Sequence, residues 1–184
     1  MRTGHSILAG VITLAALSLA ASPAAAQHGQ TREGFYAGVG LGWGSMGLSC
    51  DGCDGVDRTG SYTGYLNLGG TLRPNLLVGA EFNGWTKSED GATVRLANVS
   101  AAATWYPMVQ SGLFLKGGAG YSRLSADDGI VSASDDGFGL LAGMGYDVRV
   151  ARNTSITPVL NYFRGAFEGG SADVVQVGMG ISFH

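Results

Sequence analysis

Residues 34–44, GFYAGVGLGWG, alternate strictly between two kinds of side chain. The odd-numbered positions from 35 to 43 are apolar, whereas the even-numbered positions from 38 to 44 are all glycine. Because successive side chains point to opposite faces of a strand, this pattern predicts a β-strand with one apolar face and one nearly bare face. Glycine inside a strand costs stability, so four glycines on one face indicate a cramped space behind that face.

The same alternation recurs in seven further segments of the chain. They are residues 61–72, 76–85, 93–106, 112–123, 138–149, 155–163 and 173–183. Strands of about ten residues match the length of a membrane-spanning β-strand. Only 14% of the residues are charged, and the apolar faces run through all eight segments. We therefore predict an all-β fold, an eight-stranded antiparallel up-and-down transmembrane β-barrel whose apolar face meets lipid.

The connections between the predicted strands also alternate. Those after the second, fourth and sixth strands are short, whereas those after the first, third, fifth and seventh are longer and rich in Asp, Gly and Ser. Short periplasmic turns and long extracellular loops are typical of outer-membrane barrels. This orientation sorts the outward aromatic residues into two belts. The periplasmic belt contains Phe35, Trp105, Tyr146 and Phe183, and the outer belt contains Trp43, Tyr62, Phe82, Tyr121, Phe138 and Tyr162.

The N-terminal segment has the pattern of a secretory signal. Arg2 precedes an apolar run, and small residues end it at Ala26, so we predict a signal peptide over residues 1–26 with cleavage after Ala26. A retained membrane anchor is the alternative. Residues 27–184 then form the barrel domain. The whole chain has 11 Lys and Arg against 14 Asp and Glu, which argues against nucleic-acid binding.

The chain resembles the small eight-stranded outer-membrane proteins of the OmpA/OmpX type. The resemblance covers residues 27–184 and depends on the eight-strand architecture, on GFYAGVGLGWG and on the C-terminal sequence DVVQVGMGISFH. It implies an integral protein of the bacterial outer membrane. It also implies that the barrel-assembly machinery recognises Phe183 as the C-terminal aromatic residue, although His184 follows it here.

Four charged residues are predicted to face the lumen. Glu81 and Lys116 lie in the middle of their strands and are expected to meet as a salt bridge, whereas Asp147 and Arg149 join such a network near the periplasmic end. One interpretation is a structural pair in a packed interior, and the other is a gate in a narrow ion path. The interior of an eight-stranded barrel is just filled by its own side chains, which favours the structural interpretation.

Three arginines are predicted at the outer rim on the lipid side. Arg95, Arg123 and Arg164 follow the alternation outward, just beyond the outer aromatic belt. Guanidinium groups suit phosphate, so these residues are candidate contacts for the phosphates of lipopolysaccharide. Ordinary solvated rim charges are the alternative.

The two cysteines lie in the first outer connection, in the sequence CDGCDGVD. Exported thiols meet an oxidising compartment, so a Cys50–Cys53 disulfide is the predicted state. A metal site that combines the thiols with nearby aspartates is the alternative, but the spacing fits neither a zinc site nor an EF-hand.

No catalytic, cofactor or metal site is predicted. The histidines, His5, His28 and His184, lie in none of the predicted strands or outer loops, so a Ser/His site at the rim is hard to build. We expect a monomeric, non-enzymatic protein in contact with outer-membrane lipids. Its expected role is envelope integrity, or surface interaction between its extracellular loops and an unidentified ligand. A narrow porin-like channel for small solutes or ions is the alternative.

Overall fold

Strands account for most of the described chain. The structure is a computed structural model and describes residues 31–50 and 57–184. The predicted signal peptide lies outside the described residues. Within them, no helix is long and apolar enough to cross a bilayer. The strands are β1 (Phe35–Cys50), β2 (Thr59–Arg73), β3 (Leu76–Glu89), β4 (Ala92–Trp105), β5 (Leu113–Asp127), β6 (Ser132–Tyr146), β7 (Val148–Ala151), β8 (Thr154–Phe167) and β9 (Gly170–Phe183).

These strands form a closed antiparallel sheet. Consecutive strands pair with each other, except that β6 and β7 do not, and β1 also pairs with β9, which closes the barrel. Strands β6 and β7 both pair with β8 and form one wall element, interrupted at Asp147. The described residues therefore form an eight-stranded barrel, and the predicted fold class is confirmed.

The strands are staggered around the barrel. Gly38 on β1 is paired with a residue of β2, that residue is paired with one of β3, and so on around the barrel. This series of pairs comes back to β1 at Leu48, which lies nearer the outer end than Gly38. Such a stagger requires tilted strands. In a row of paired residues, the residue on each strand from β1 to β5 therefore lies nearer the outer end than its partner on the strand before.

The two faces of every strand are as predicted. The apolar positions of the alternation point outward and are exposed, and all ten predicted belt residues are among them. Phe35 and Trp43, one from each belt, are about 26 Å apart along β1, which suits a tilted strand that crosses the apolar layer. The glycine face points into a crowded interior, where a β-carbon at Gly40 would overlap the ring of Tyr65.

The outer connections are shorter than predicted, because the strands continue beyond the outer belt. Strands β3 and β4 are joined only by Asp90 and Gly91, both of which have positive φ, as the commonest two-residue hairpin turn requires. Strands β8 and β9 are joined by Glu168 and Gly169. The prediction of four longer loops was wrong at these two positions, since Asp-Gly and Glu-Gly form tight turns and the flanking residues remain paired. It was also wrong between β5 and β6, where only residues 128–131 connect the strands.

Candidate functional site in the lumen and at the outer rim

The lumen is filled by three successive layers of side chains, named here for their place in the barrel. The middle layer centres on Glu81 and Lys116, whose side chains are each 2% exposed. Lys116 Nζ lies 2.5 Å from Glu81 Oε1, and Asn83 Nδ2 donates a second hydrogen bond of 3.0 Å to the same oxygen. Asn161 extends this mid-lumen network by donating to Gln176 Oε1 at 3.1 Å.

The outer part of the lumen contains a buried apolar cluster beside the hydrogen-bonded side chains of Asn98 and Ser122, and the sequence interpretation did not anticipate this cluster. We name it the outer apolar cluster. Trp85, Leu96, Phe163 and Val174 are almost fully buried in it, and the Trp85 indole donates to the carbonyl oxygen of Gly44 at 3.1 Å. Its other buried members are Met46, Ala102, Leu141 and Ala172. These residues close the barrel above the mid-lumen network with side chains that offer an ion no ligand.

The inner-end cluster surrounds the carboxylate of Asp147 at the opposite mouth. Tyr106 and Thr157 each donate a hydrogen bond of 2.8 Å to it, and Ser182 donates one of 3.2 Å. His184 Nε2 lies 3.4 Å from Asp147 Oδ2, and the imidazole stacks on the ring of Tyr36. The predicted lumen charges thus belong to two groups, with Glu81 and Lys116 in the middle and Asp147 at the inner end.

Two arginines complete the inner end. Arg149 donates to the carbonyl oxygen of Thr31 at 3.0 Å. Arg32 lies 3.5 Å from the centre of the Tyr106 ring and donates to the carbonyl oxygens of Val109 and Ser111. The segment before β1 is thereby tied to the mouth of the lumen.

Sequence reasoning missed several of these inner-end partners. The alternation offered a signal for His184, because the position after the outward Phe183 must point inward. Arg32 lies outside every predicted strand, so no periodicity indicated its contact.

The three predicted rim arginines all lie outward on the barrel, but their surroundings differ. Arg123 donates to Ser134 Oγ at 2.9 Å, and its Nε lies 3.7 Å from Asp136. Arg164 donates to Ser171 Oγ at 2.9 Å. Among the described residues, Arg95 has no hydrogen-bond or ion-pair partner. The rim therefore carries one guanidinium without a protein partner in the described chain and two that neighbouring strands already hold.

The tip of the β5–β6 hairpin is held by its own hydrogen bonds. The backbone amides of Val131 and Ile130 donate to the Asp128 carboxylate at 2.7 and 3.0 Å, which lowers the pKa of Asp128.

Cys50 ends β1 and is disulfide-bonded. Cys53 lies outside the described residues, so its pairing with Cys50 stays a prediction. Within the described parts of the chain, no three His, Cys, Asp or Glu side chains gather as metal ligands would.

Comparison with known proteins identifies the family. The family model of the outer membrane protein beta-barrel domain matches residues 12–183 of the chain. The chain belongs to this family. As a member of this family, the protein is an integral protein of the bacterial outer membrane. Its two aromatic belts lie at the two edges of the apolar layer.

Two solved outer-membrane barrels are similar in fold to this protein. Neisserial surface protein A is 15% identical, with a TM-score of 0.58 over 81% of this chain and 96% of its own. Ail, the attachment invasion locus protein of Yersinia pestis, was solved with the heparin analogue sucrose octasulfate. It is 14% identical, with a TM-score of 0.57 over 82% of this chain and 99% of its own. No curated protein sequence matches the chain.

Proposed function

We propose that this protein is a closed, non-enzymatic barrel that serves envelope integrity or surface interaction through its extracellular hairpins. The observation that carries the proposal is the filled lumen. A solute would have to displace the outer apolar cluster and then break the Glu81–Lys116 pair before it reached the inner-end cluster. Burial of an ion against apolar side chains without ligands is strongly unfavourable.

Single-channel recording tests the closed barrel against the alternative of a narrow channel. The wild-type protein in planar lipid bilayers is expected to give no stable openings at either polarity. The positive control is a variant with an emptied lumen, which is expected to conduct. Trp85→Ala and Phe163→Ala remove two buried rings from the outer apolar cluster, and loss of the Glu81–Lys116 pair in the same variant clears the middle layer. Reproducible unitary openings of the wild type, abolished when a lumen residue is enlarged, would establish the channel instead.

The arrangement around His184 supports the non-enzymatic part of the proposal. In a Ser-His-Asp site the nucleophile must be hydrogen-bonded to the imidazole. Here the Thr157 hydroxyl donates to Asp147, and Ser182 Oγ lies 2.8 Å from Thr157 Oγ1 and 3.2 Å from Asp147. Neither hydroxyl is hydrogen-bonded to the imidazole, whose Nε2 faces Asp147 Oδ2 at 3.4 Å. His184 is therefore placed to pack under the barrel rather than to activate a nucleophile.

We further propose that Arg95, Arg123 and Arg164 form a collar that contacts the phosphates of lipopolysaccharide. Their outward position just beyond the outer belt supports this, and the unpartnered Arg95 supports it most directly. Replacement of all three by Gln is expected to reduce the lipopolysaccharide that co-purifies with the protein. Unchanged co-purification would contradict the collar.

Two further partner proposals concern the barrel wall. Phe183 is exposed on the outer face of β9, in register with Ala37, where it is accessible for recognition by the barrel-assembly machinery. Phe183→Ala is expected to slow assembly in cells, and assembly at the wild-type rate would contradict this role. The sheet closes on itself, and among the described strands only the four-residue β7 pairs on one edge alone, which supports a monomeric state.

A further inference from the structure

The outer surface of β1 to β4 contains a groove that lies outside the lumen. Its open volume is about 740 Å³, within the range of roughly 300–1,000 Å³ found for ligand-binding clefts. Its floor consists of Gly64, Gly84 and Ala97, which are in register on three neighbouring strands. A leucine or aromatic side chain at any of these positions would fill the space.

Larger outward side chains form the two walls of this groove. The row above the floor pairs Tyr62 with Thr86 and then with Arg95, and the row below pairs Leu66 with Phe82. Tyr62 and Phe82 are 72% and 43% exposed, so both project from the barrel. The groove is therefore a slot between two rows of side chains, and the Phe82 ring covers part of its floor, since a β-carbon at Gly84 would lie 3.3 Å from Phe82 Cε1.

The groove climbs from an apolar end to a cationic end. Its lower end lies at Leu41, which pairs with Gly64. Because paired rows rise towards the outer end from β1 to β5, its upper end lies at Ala97, with Arg95 two residues further out on β4 and Arg123 opposite on β5. The slot thus begins beside hydrocarbon and ends beside two guanidinium groups at the membrane surface.

We propose that this groove holds one acyl chain of lipid A, the phosphorylated glycolipid anchor of lipopolysaccharide, with a lipid A phosphate on Arg95. A lipid chain gains little hydrophobic energy by leaving other lipid, so close packing and the charged contact must provide the preference. The slot provides the packing, and Arg95 provides a cation with no partner among the described residues. The proposal builds on the collar through Arg95 but adds a bound chain, which the collar does not require.

The experiment measures how many lipid A molecules the purified full barrel retains, and how tightly, by native mass spectrometry in zwitterionic detergent. The probe is bisphosphorylated hexaacyl lipid A. Ala97→Leu fills the floor and is expected to weaken binding about tenfold. The matched control is Ala101→Leu, an outward exposed alanine on the same strand, which is expected to bind as the wild type does. A heat-modifiable gel shift verifies that each variant is folded.

Charge and lipid class are tested separately. Arg95→Gln is expected to weaken binding of the phosphorylated probe about tenfold and to leave dephosphorylated lipid A unaffected. Wild-type affinity in Ala97→Leu would overturn the groove. So would an equal loss in Ala101→Leu, or equal retention of phosphatidylglycerol by the wild type. If the triple Gln variant loses lipid A while Ala97→Leu keeps it, the groove is wrong and the collar stands.

Discussion

Lys116→Met is the most informative single perturbation of the lumen. It preserves much of the side-chain length and its packing, but it removes the positive charge beside Glu81. The remaining carboxylate would be 2% exposed and would retain only the hydrogen bond from Asn83 among those described above. A buried charge that loses its partner is left without compensation, so the variant should be strongly destabilised.

The expected size of this effect follows from the burial of the pair. Removal of one partner from a buried ion pair typically costs about 3–5 kcal/mol in free energy of unfolding. Replacement of both partners is far less harmful, because no uncompensated charge remains. The double variant Glu81→Gln with Lys116→Met should therefore recover most of the stability that Lys116→Met loses.

Equilibrium urea unfolding in phosphatidylcholine vesicles, followed by tryptophan fluorescence, measures these free energies. Lys87→Met is the matched control, because Lys87 pairs with Glu89 at 2.7 Å but both side chains are solvent-accessible. Accessible pairs contribute about 0–1 kcal/mol. A cost for Lys116→Met no larger than that for Lys87→Met, or a double variant as unstable as the single one, would refute the reasoning.

Three further predictions concern the strands and hairpins. Gly40→Ala should cost about 1–3 kcal/mol because its β-carbon would overlap the buried Tyr65 ring, as the same urea titration would measure. Gly117→Ala should be nearly neutral, because its β-carbon would make only an ordinary contact of 3.8 Å with the carbonyl oxygen of Leu141. The lowered pKa of Asp128 means that its contribution to the β5–β6 hairpin is complete above about pH 4 and is lost as pH falls through the folded-state pKa, so the Ile130 and Val131 amide resonances should shift with acid in the wild type but not in Asp128→Asn. Reduction of the predicted Cys50–Cys53 disulfide should leave the heat-modifiable gel shift unchanged, because β1 is paired with β9 as far as Cys50; a loss of the folded band on reduction would contradict this.

The alternation of side chains was sufficient to predict the barrel and the direction of its faces. Each face is set locally by a two-residue period, and a shift of one residue would move the whole apolar set into the lumen. Glu81 and Lys116 were predictable on the same ground, since both interrupt an otherwise uncharged inward face near mid-strand. Their contact follows from the narrow interior of an eight-stranded barrel.

The ends of the barrel were less predictable, for two physical reasons. Polar residues near Asp90 and Glu168 suggested loops, yet each hairpin turns within two residues, Asp90–Gly91 and Glu168–Gly169, and the flanking residues continue the ladder. The surroundings of Asp147 combine residues from both ends of the described chain, namely Arg32 and His184. Such contacts depend on barrel closure, which no local pattern encodes.

The extension of the strands beyond the outer belt has a consequence for recognition at the cell surface. A flexible loop must lose conformational freedom when it binds, and this loss weakens the complex. Strand β3 continues from Phe82 to Glu89 while remaining hydrogen-bonded to β4, so its side chains are held in position before any encounter. A partner that binds this wall would contact side chains that are already held in position. Binding would therefore cost the barrel little conformational entropy.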